Sequence, residues 1–126
     1  MDDVRFSIRD AELLYSIPKP GGDVLLILRC FFHLMRCAPP TFDEFLEGIQ
    51  KAVKVGCVRI EGNLIRVTDE WYDRIHAADD TAPNEIESLL EFEEVLLASS
   101  WTVKCDLMPS FSRAAYERAA TKANQF

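Results

Sequence analysis

The sequence lacks most of the features that announce a chemistry. Its five glycines (Gly21, Gly22, Gly48, Gly56, Gly62) never fall in the spacing of a phosphate-cradling loop or a dinucleotide-binding turn, so nucleotide chemistry has no support. It also lacks a long hydrophobic run. The longest stretch, residues 24–28, is followed by Arg29, His33 and Arg36, far short of the roughly 20 residues that a membrane span needs. The four cysteines (Cys30, Cys37, Cys57, Cys105) stand apart in apolar neighbourhoods, which suits reduced thiols rather than a disulfide framework. The N-terminus, Met1-Asp2-Asp3-Val4-Arg5, is acidic where a secretory leader would be basic. These absences predict a cytoplasmic protein without a membrane partner.

Positive charge is scarce in one half only. Residues 1–60 balance eight Lys/Arg against eight Asp/Glu, whereas residues 61–126 carry six against thirteen and so hold the whole net charge of −7. Between residues 69 and 94, ten acids face the single base Arg74. That segment would repel phosphate and attract a basic partner.

What remains is the material of one folded unit: 126 residues, 48% apolar, enough for a single core. Ser7 followed by Asp10 predicts a capped helix to about residue 17, with Ile8, Ala11, Leu14 and Tyr15 on its apolar side. Pro18-Lys19-Pro20-Gly21-Gly22 ends it, and Asp23 caps a second helix over residues 24–37. That second helix is almost wholly apolar outside the stripe Arg29, His33, Arg36, and so is expected to be the most buried. Thr41 and Glu44 form the strongest local signal, a capping box, and Phe42, Phe45, Leu46, Ile49, Ala52 and Val53 line one face before Gly56 closes the helix.

The period then changes from 3.6 to 2. With Gly62-Asn63 as a two-residue turn, Ile60 lies opposite Ile65, Val58 opposite Val67, and Arg59 opposite Arg66 on the outer face. Thr68 is expected to cap a helix that points Trp71, Ile75 and Ala78 one way. Residues 79–83 are expected to be a flexible connection. Asn84 restarts a helix with Ile86, Leu89, Leu90 and Leu97 on its apolar side and Glu87, Glu91 and Glu94 on the wet one. Residues 101–105 alternate like a short strand, and Pro109-Ser110 opens a last helix over residues 111–122 that would pack through Ala114, Ala115 and Ala119. The fold class is therefore mainly α with a small β-hairpin (α+β), one domain over residues 1–126.

The order helix, helix, capped helix, hairpin, helix resembles the winged-helix class of helix-turn-helix domains. The residues that carry the likeness are Thr41-Phe42-Asp43-Glu44-Phe45-Leu46, Lys54-Val55-Gly56-Cys57-Val58 and Ile65-Arg66-Val67-Thr68-Asp69-Glu70, similar to the bacterial pattern of recognition helix, glycine exit, wing and closing helix start. The resemblance covers residues 8–78 and implies a winged-helix-like three-helix core plus wing over residues 7–78. The helices from about 84 to 124 would be a C-terminal extension. In DNA-binding members of that class the recognition helix enters the major groove and the wing reaches phosphates. Here that would put Lys51, Lys54, Arg59 and Arg66 on the backbone, with a dimer as the acting unit, but the leading end of the helix is anionic through Asp43 and Glu44.

Two other groupings hold candidate chemistry. Cys30, His33 and Cys37 share one side of a helix and supply soft ligands, yet a structural zinc site wants four ligands in close pairs from separate elements. A Cys-His nucleophile pair at that spacing lacks an orienting third group. The ordinary reading is two core cysteines beside a partly exposed histidine. Glu87, Glu91 and Glu94 could ligate a divalent ion, but their spacing is that of a solvated helix stripe. No catalytic set, metal site or cofactor is expected. The expected function is a non-catalytic interaction module whose surface for a protein partner or a second copy includes Asp73, Glu87, Glu91 and Glu94. The alternative is a dimeric DNA-binding regulator.

Overall fold

The computed structural model describes residues 3–36 and 38–124. Its class is mainly α with two small antiparallel sheets. A two-residue strand β1 (Asp3–Val4) leads to α1 (Ile8–Tyr15), α2 (Val24–Met35) and α3 (Phe42–Lys54). The hairpin β2 (Val58–Glu61) and β3 (Leu64–Val67) follows, then α4 (Asp69–Ile75), α5 (Glu85–Leu97), β4 (Trp101–Thr102) and α6 (Arg113–Ala123).

Local chemistry sets most boundaries. Both capping boxes form: Ser7 with Asp10 at α1, Thr41 with Glu44 at α3, each satisfying donors that a helix start leaves open. Gly56, at φ +80°, takes the left-handed position after α3. α2 stops two residues earlier than its pattern predicts, with Arg36 itself left-handed at φ 54°; Cys37 lies outside the described residues. Thr68 makes no side-chain cap on α4. Its hydroxyl instead donates to the Gly56 carbonyl at 3.4 Å, tying the end of the hairpin to the exit of α3.

The hairpin has the register expected from its alternation: Val58↔Val67, Arg59↔Arg66, Ile60↔Ile65 and Glu61↔Leu64 around Gly62-Asn63. Val58, Ile65 and Val67 are buried and Ile60 is half-buried. Backbone bonds in both directions between Gly22 and Ile65 attach the α1–α2 loop to the outer edge of β3.

One hydrophobic core runs from Val4 to Ala123 and joins the two parts of the chain. α5 packs on α1, and α6 packs on α2 and α3. Tyr116 of α6 buries its ring against Phe42 and Phe45 and donates its hydroxyl to the Pro40 carbonyl. Two-residue β4 pairs with β1, a partner the alternation of residues 101–105 does not reveal.

Several faces differ from expectation. α2 is not the most buried helix: only Ile27, Leu28 and Phe31 are buried, because narrow, alanine-rich α6 covers one side of an element that is apolar nearly all round. α6 itself starts at Ser112 rather than Ser110 and packs through Tyr116, Ala119, Ala120 and Ala123, leaving Ala114 and Ala115 exposed. Ile8 of α1 is 54% exposed, and Leu13 replaces it inside. Ala78 lies beyond the end of α4.

Candidate interaction surfaces

The outer side of α3 is largely spoken for. Asp10, after serving as the N3 residue of the α1 capping box, is only 4% exposed. Its carboxylate accepts from the Ser7 amide and from Lys51 Nζ, both at 2.9 Å. Burial would lower the lysine's pKa, but the bond and charge of Asp10, helped by Glu47 at 3.4 Å, hold it above the ordinary value. Gly48 makes the approach possible: a Cβ there would stand 2.9 Å from Asp10 Oδ1. Further along the helix, Gln50 Nε2 donates to the Pro109 carbonyl at 3.0 Å, and Asp43 pairs with Arg113 at 3.2 Å. The Lys54 carbonyl accepts the amides of Lys104 and Cys105 at 2.7 and 3.0 Å.

The four cations expected to meet phosphate are therefore not equivalent. Lys51 is half-buried on Asp10 instead of facing solvent, and Arg66 pairs with Asp69 at 3.5 Å. Lys54 and Arg59 have no ion-pair partner among the described residues, and Arg59 is exposed. The residues that occupy this side of α3, from 104 to 113, belong to the last third of the chain, whose path no sequence motif foretells.

The acidic set behaves differently. Asp73 on α4 and Glu87, Glu91 and Glu94 on α5 are all exposed, and none makes an ion pair among the described residues. The apolar face of α5 is rotated from the expected one. Ser88, Leu89, Phe92 and Leu96 are buried, while Ile86, Leu90 and Val95 are 49%, 46% and 54% exposed. Since successive residues turn by about 100°, the row Glu87, Glu91, Glu94 runs up the helix between Ile86 and Leu90 on one side and Val95 on the other. On the α1 flank, burial raises the Glu93 pKa and the charge of Glu12 raises it further.

The connection from α4 to α5 expected over residues 79–83 is tied down at its first residue, Asp79. Asp79 Oδ1 accepts from Tyr15 OH at 2.9 Å and from Ser88 Oγ at 2.6 Å, and Oδ2 lies 2.9 Å from His76 Nδ1. Burial alone would raise this carboxyl, but the bonds from Ser88 and Tyr15 and the His76 ring outweigh it and keep the pKa below the ordinary value. Burial, with Asp79 beside it, pushes the Tyr15 phenol up to about 12. The carboxylate only accepts, so Nδ1 carries the imidazole proton. Nε2 is buried without a partner, the ring lying against Tyr15 and Tyr72 at centroid distances of 4.5 and 4.3 Å. Ser88 thus donates to the carboxylate instead of to the imidazole, and the cluster is arranged as a clasp between α1, the turn and α5. The sequence holds no local signal for it, because Tyr15 comes from 64 residues away.

Of the sulfur and imidazole grouping, Cys30 is half-buried with its thiol pKa raised by burial, and His33 is exposed. Cys37 lies outside the described residues. Among the described residues, no group of three or more His, Cys, Asp or Glu is placed to hold a metal ion, and no helix is long and apolar enough to cross a membrane. Cys57 is fully buried, and burial raises its thiol far above the ordinary value. No family model matches the chain, and neither a curated protein nor a solved structure matches it.

Proposed function

We propose that the protein is a non-catalytic interaction module of winged-helix-like build that binds a basic protein surface, or a second copy of itself, through the outer face of α5. One observation carries this reading: Ile86, Leu90 and Val95 stand about half exposed around a row of three glutamates that make no ion pair among the described residues. Covering such side chains is favourable by about 25 cal/mol per Å² of apolar surface removed from water. Unpaired carboxylates beside them select a cationic partner and speed its approach. Asp73 on α4 adds a further unpaired carboxylate. The order α1, α2, α3, hairpin, α4 supports the winged-helix-like description. The engagement of Lys51 by buried Asp10 and the surface pairing of Arg66 with Asp69, together with the anionic start of α3, favour protein over DNA as the target.

The test is cross-linking of the full chain in its native cell with carboxylate-directed reagents, followed by mapping of the linked residues. Links at Glu87, Glu91 or Glu94, lost when these three are changed to Gln, support the reading. A chain that sediments as a monomer and links to nothing through this face refutes it. Salt-dependent binding of duplex DNA, abolished by Lys54→Ala with Arg59→Ala, would select the DNA-binding dimer instead.

A further inference from the structure

The hairpin has one closed edge and one open edge. In its register Ile60 and Ile65 form a pair whose amide groups point away from each other, as do Val58 and Val67. The outward N–H and C=O of Ile65 are used by Gly22, at 2.8 and 3.0 Å. The corresponding groups of Val58 and Ile60, on the far side of β2, have no backbone partner among the described residues. Val58 is nevertheless only 3% exposed, and buried backbone groups are almost always satisfied by something.

A cleft of about 710 Å³ lies along that edge, within the size range of ligand sites. All four residues of β2 line it, the inward Val58 and Ile60 as well as the outward Arg59 and Glu61. A space that touches both faces of one strand runs beside its edge. The opposite wall is Cys105, Leu107, Met108 and Pro109, and Leu107 and Met108 are 70% and 55% exposed. Lys54 and Lys104 stand at the end where Lys54 receives the backbone of residues 104 and 105, Lys104 passing 3.8 Å from the position of a Cβ on Gly56. With Arg59, the one of the three that lines the cleft, they make three cations that have no ion-pair partner among the described residues, against two equally unpaired carboxylates, Glu61 in the lining and exposed Asp106 in the opposite wall, on a chain whose net charge is −7.

The geometry points to a docking site for an acidic, extended peptide segment of a partner protein, which adds to β2 as a third strand between the hairpin and the Cys105–Pro109 wall. Backbone bonds to Val58 and Ile60 would hold it. Alternate side chains would face the apolar wall, and carboxylates would meet Arg59, Lys54 and Lys104. The wall decides between occupants: it lines the same cleft as the strand, so a single extended chain can enter between them, whereas the hairpin of a second copy would have to displace it. The site shares no residue with the outer face of α5 and stands whether or not that face binds a protein.

The experiment uses the full chain labelled with ¹⁵N and a series of peptides of about six residues, a usual strand length, alternating Asp with Val, Leu or Phe. Binding is expected to slow amide exchange at Val58 and Ile60 by about tenfold or more. Methylating the peptide's backbone nitrogens on the bonding side should abolish it, and Arg59→Glu should weaken it by about tenfold, as loss and reversal of a rim charge would. No shift of these amides with any peptide overturns the proposal. So does binding indifferent to N-methylation, which would mean an apolar pocket without strand addition. Protection of both amides in the free chain at concentrations where it dimerises would also overturn it, in favour of a second copy as the occupant.

Discussion

Replacing Lys51 by Met removes a charge while keeping the length and most of the apolar stem of the side chain, so it isolates the ion pair beneath α3. Asp10 would remain 96% covered with one donor, the Ser7 amide at 2.9 Å, in place of two. Orphaning one member of a buried pair costs about 3–5 kcal/mol. The Lys51 side chain is 22% exposed, so water can partly replace it, and we expect about 2–3 kcal/mol. For a chain of this size that corresponds to a drop in Tm of about 6–15 °C. Urea unfolding at neutral pH, followed by the fluorescence of the packed pair Trp71 and Trp101, reads the loss directly. The control is Asp10→Asn, which keeps an oxygen for Ser7 but carries no charge. In that background Lys51→Met should cost less than about 0.5 kcal/mol. A single Lys51→Met variant within about 0.5 kcal/mol of the parent, or equal losses in both backgrounds, would refute the claim that this pair is energetically coupled.

Three further outcomes are expected. Ala at Gly62, where a Cβ meets nothing within 4 Å, or at Gly56, where it meets only Lys104 at 3.8 Å, should cost about 1 kcal/mol for the positive φ alone; at Gly21, where a Cβ would stand 3.0 Å from the Ile65 carbonyl and from Arg66 Cβ, chemical denaturation should show about twice that or more. Tyr116→Phe keeps the ring on Phe42 and Phe45 but leaves the Pro40 carbonyl without its donor, for a loss of about 1–2 kcal/mol in the same assay. Asp79 has its folded pKa below the unfolded value of about 3.9, so its contribution is complete above that pH and disappears as the pH falls through the folded value. Asp79→Asn should flatten the acid limb of a stability–pH profile, and an unchanged limb would show that the clasp does not contribute.

Sequence reasoning succeeded where chemistry is local, save at Thr68, whose hydroxyl turns to Gly56 instead of capping α4. The two capping boxes need residues three apart, and the hairpin register follows from a two-residue turn and the alternation of Val58, Ile60, Ile65 and Val67. It failed where a distant element chooses between equivalent faces. Leu89 belongs to two helical stripes of α5, one with Ile86 and Leu90, the other with Phe92 and Leu96, and only packing on α1 selects the second. Asp10 reads as a cap acid, which it is, but its bond to Lys51 spans 41 residues. The one hint in the sequence was Gly48, a residue with poor helix propensity on the apolar side of an otherwise strong helix. The acids expected on the surface are there because charge without a nearby countercharge stays in water. The four cations divided because two of them found carboxylates.

The pairing of α2 with α6 also sets a schedule. Met35 ends α2, and α6 begins at Arg113, 78 positions later. At about 5–20 residues per second, a ribosome needs roughly 4–16 s to travel between them. Throughout that interval the side of α2 that α6 will cover has no native cover. α1, α3 and the hairpin can assemble while α2 waits with oil facing water. The nascent chain therefore passes through a stage at which it is most open to holdase chaperones and to mispairing with its neighbours on a polysome, and substitutions that weaken α6 would lengthen that stage before they altered anything else.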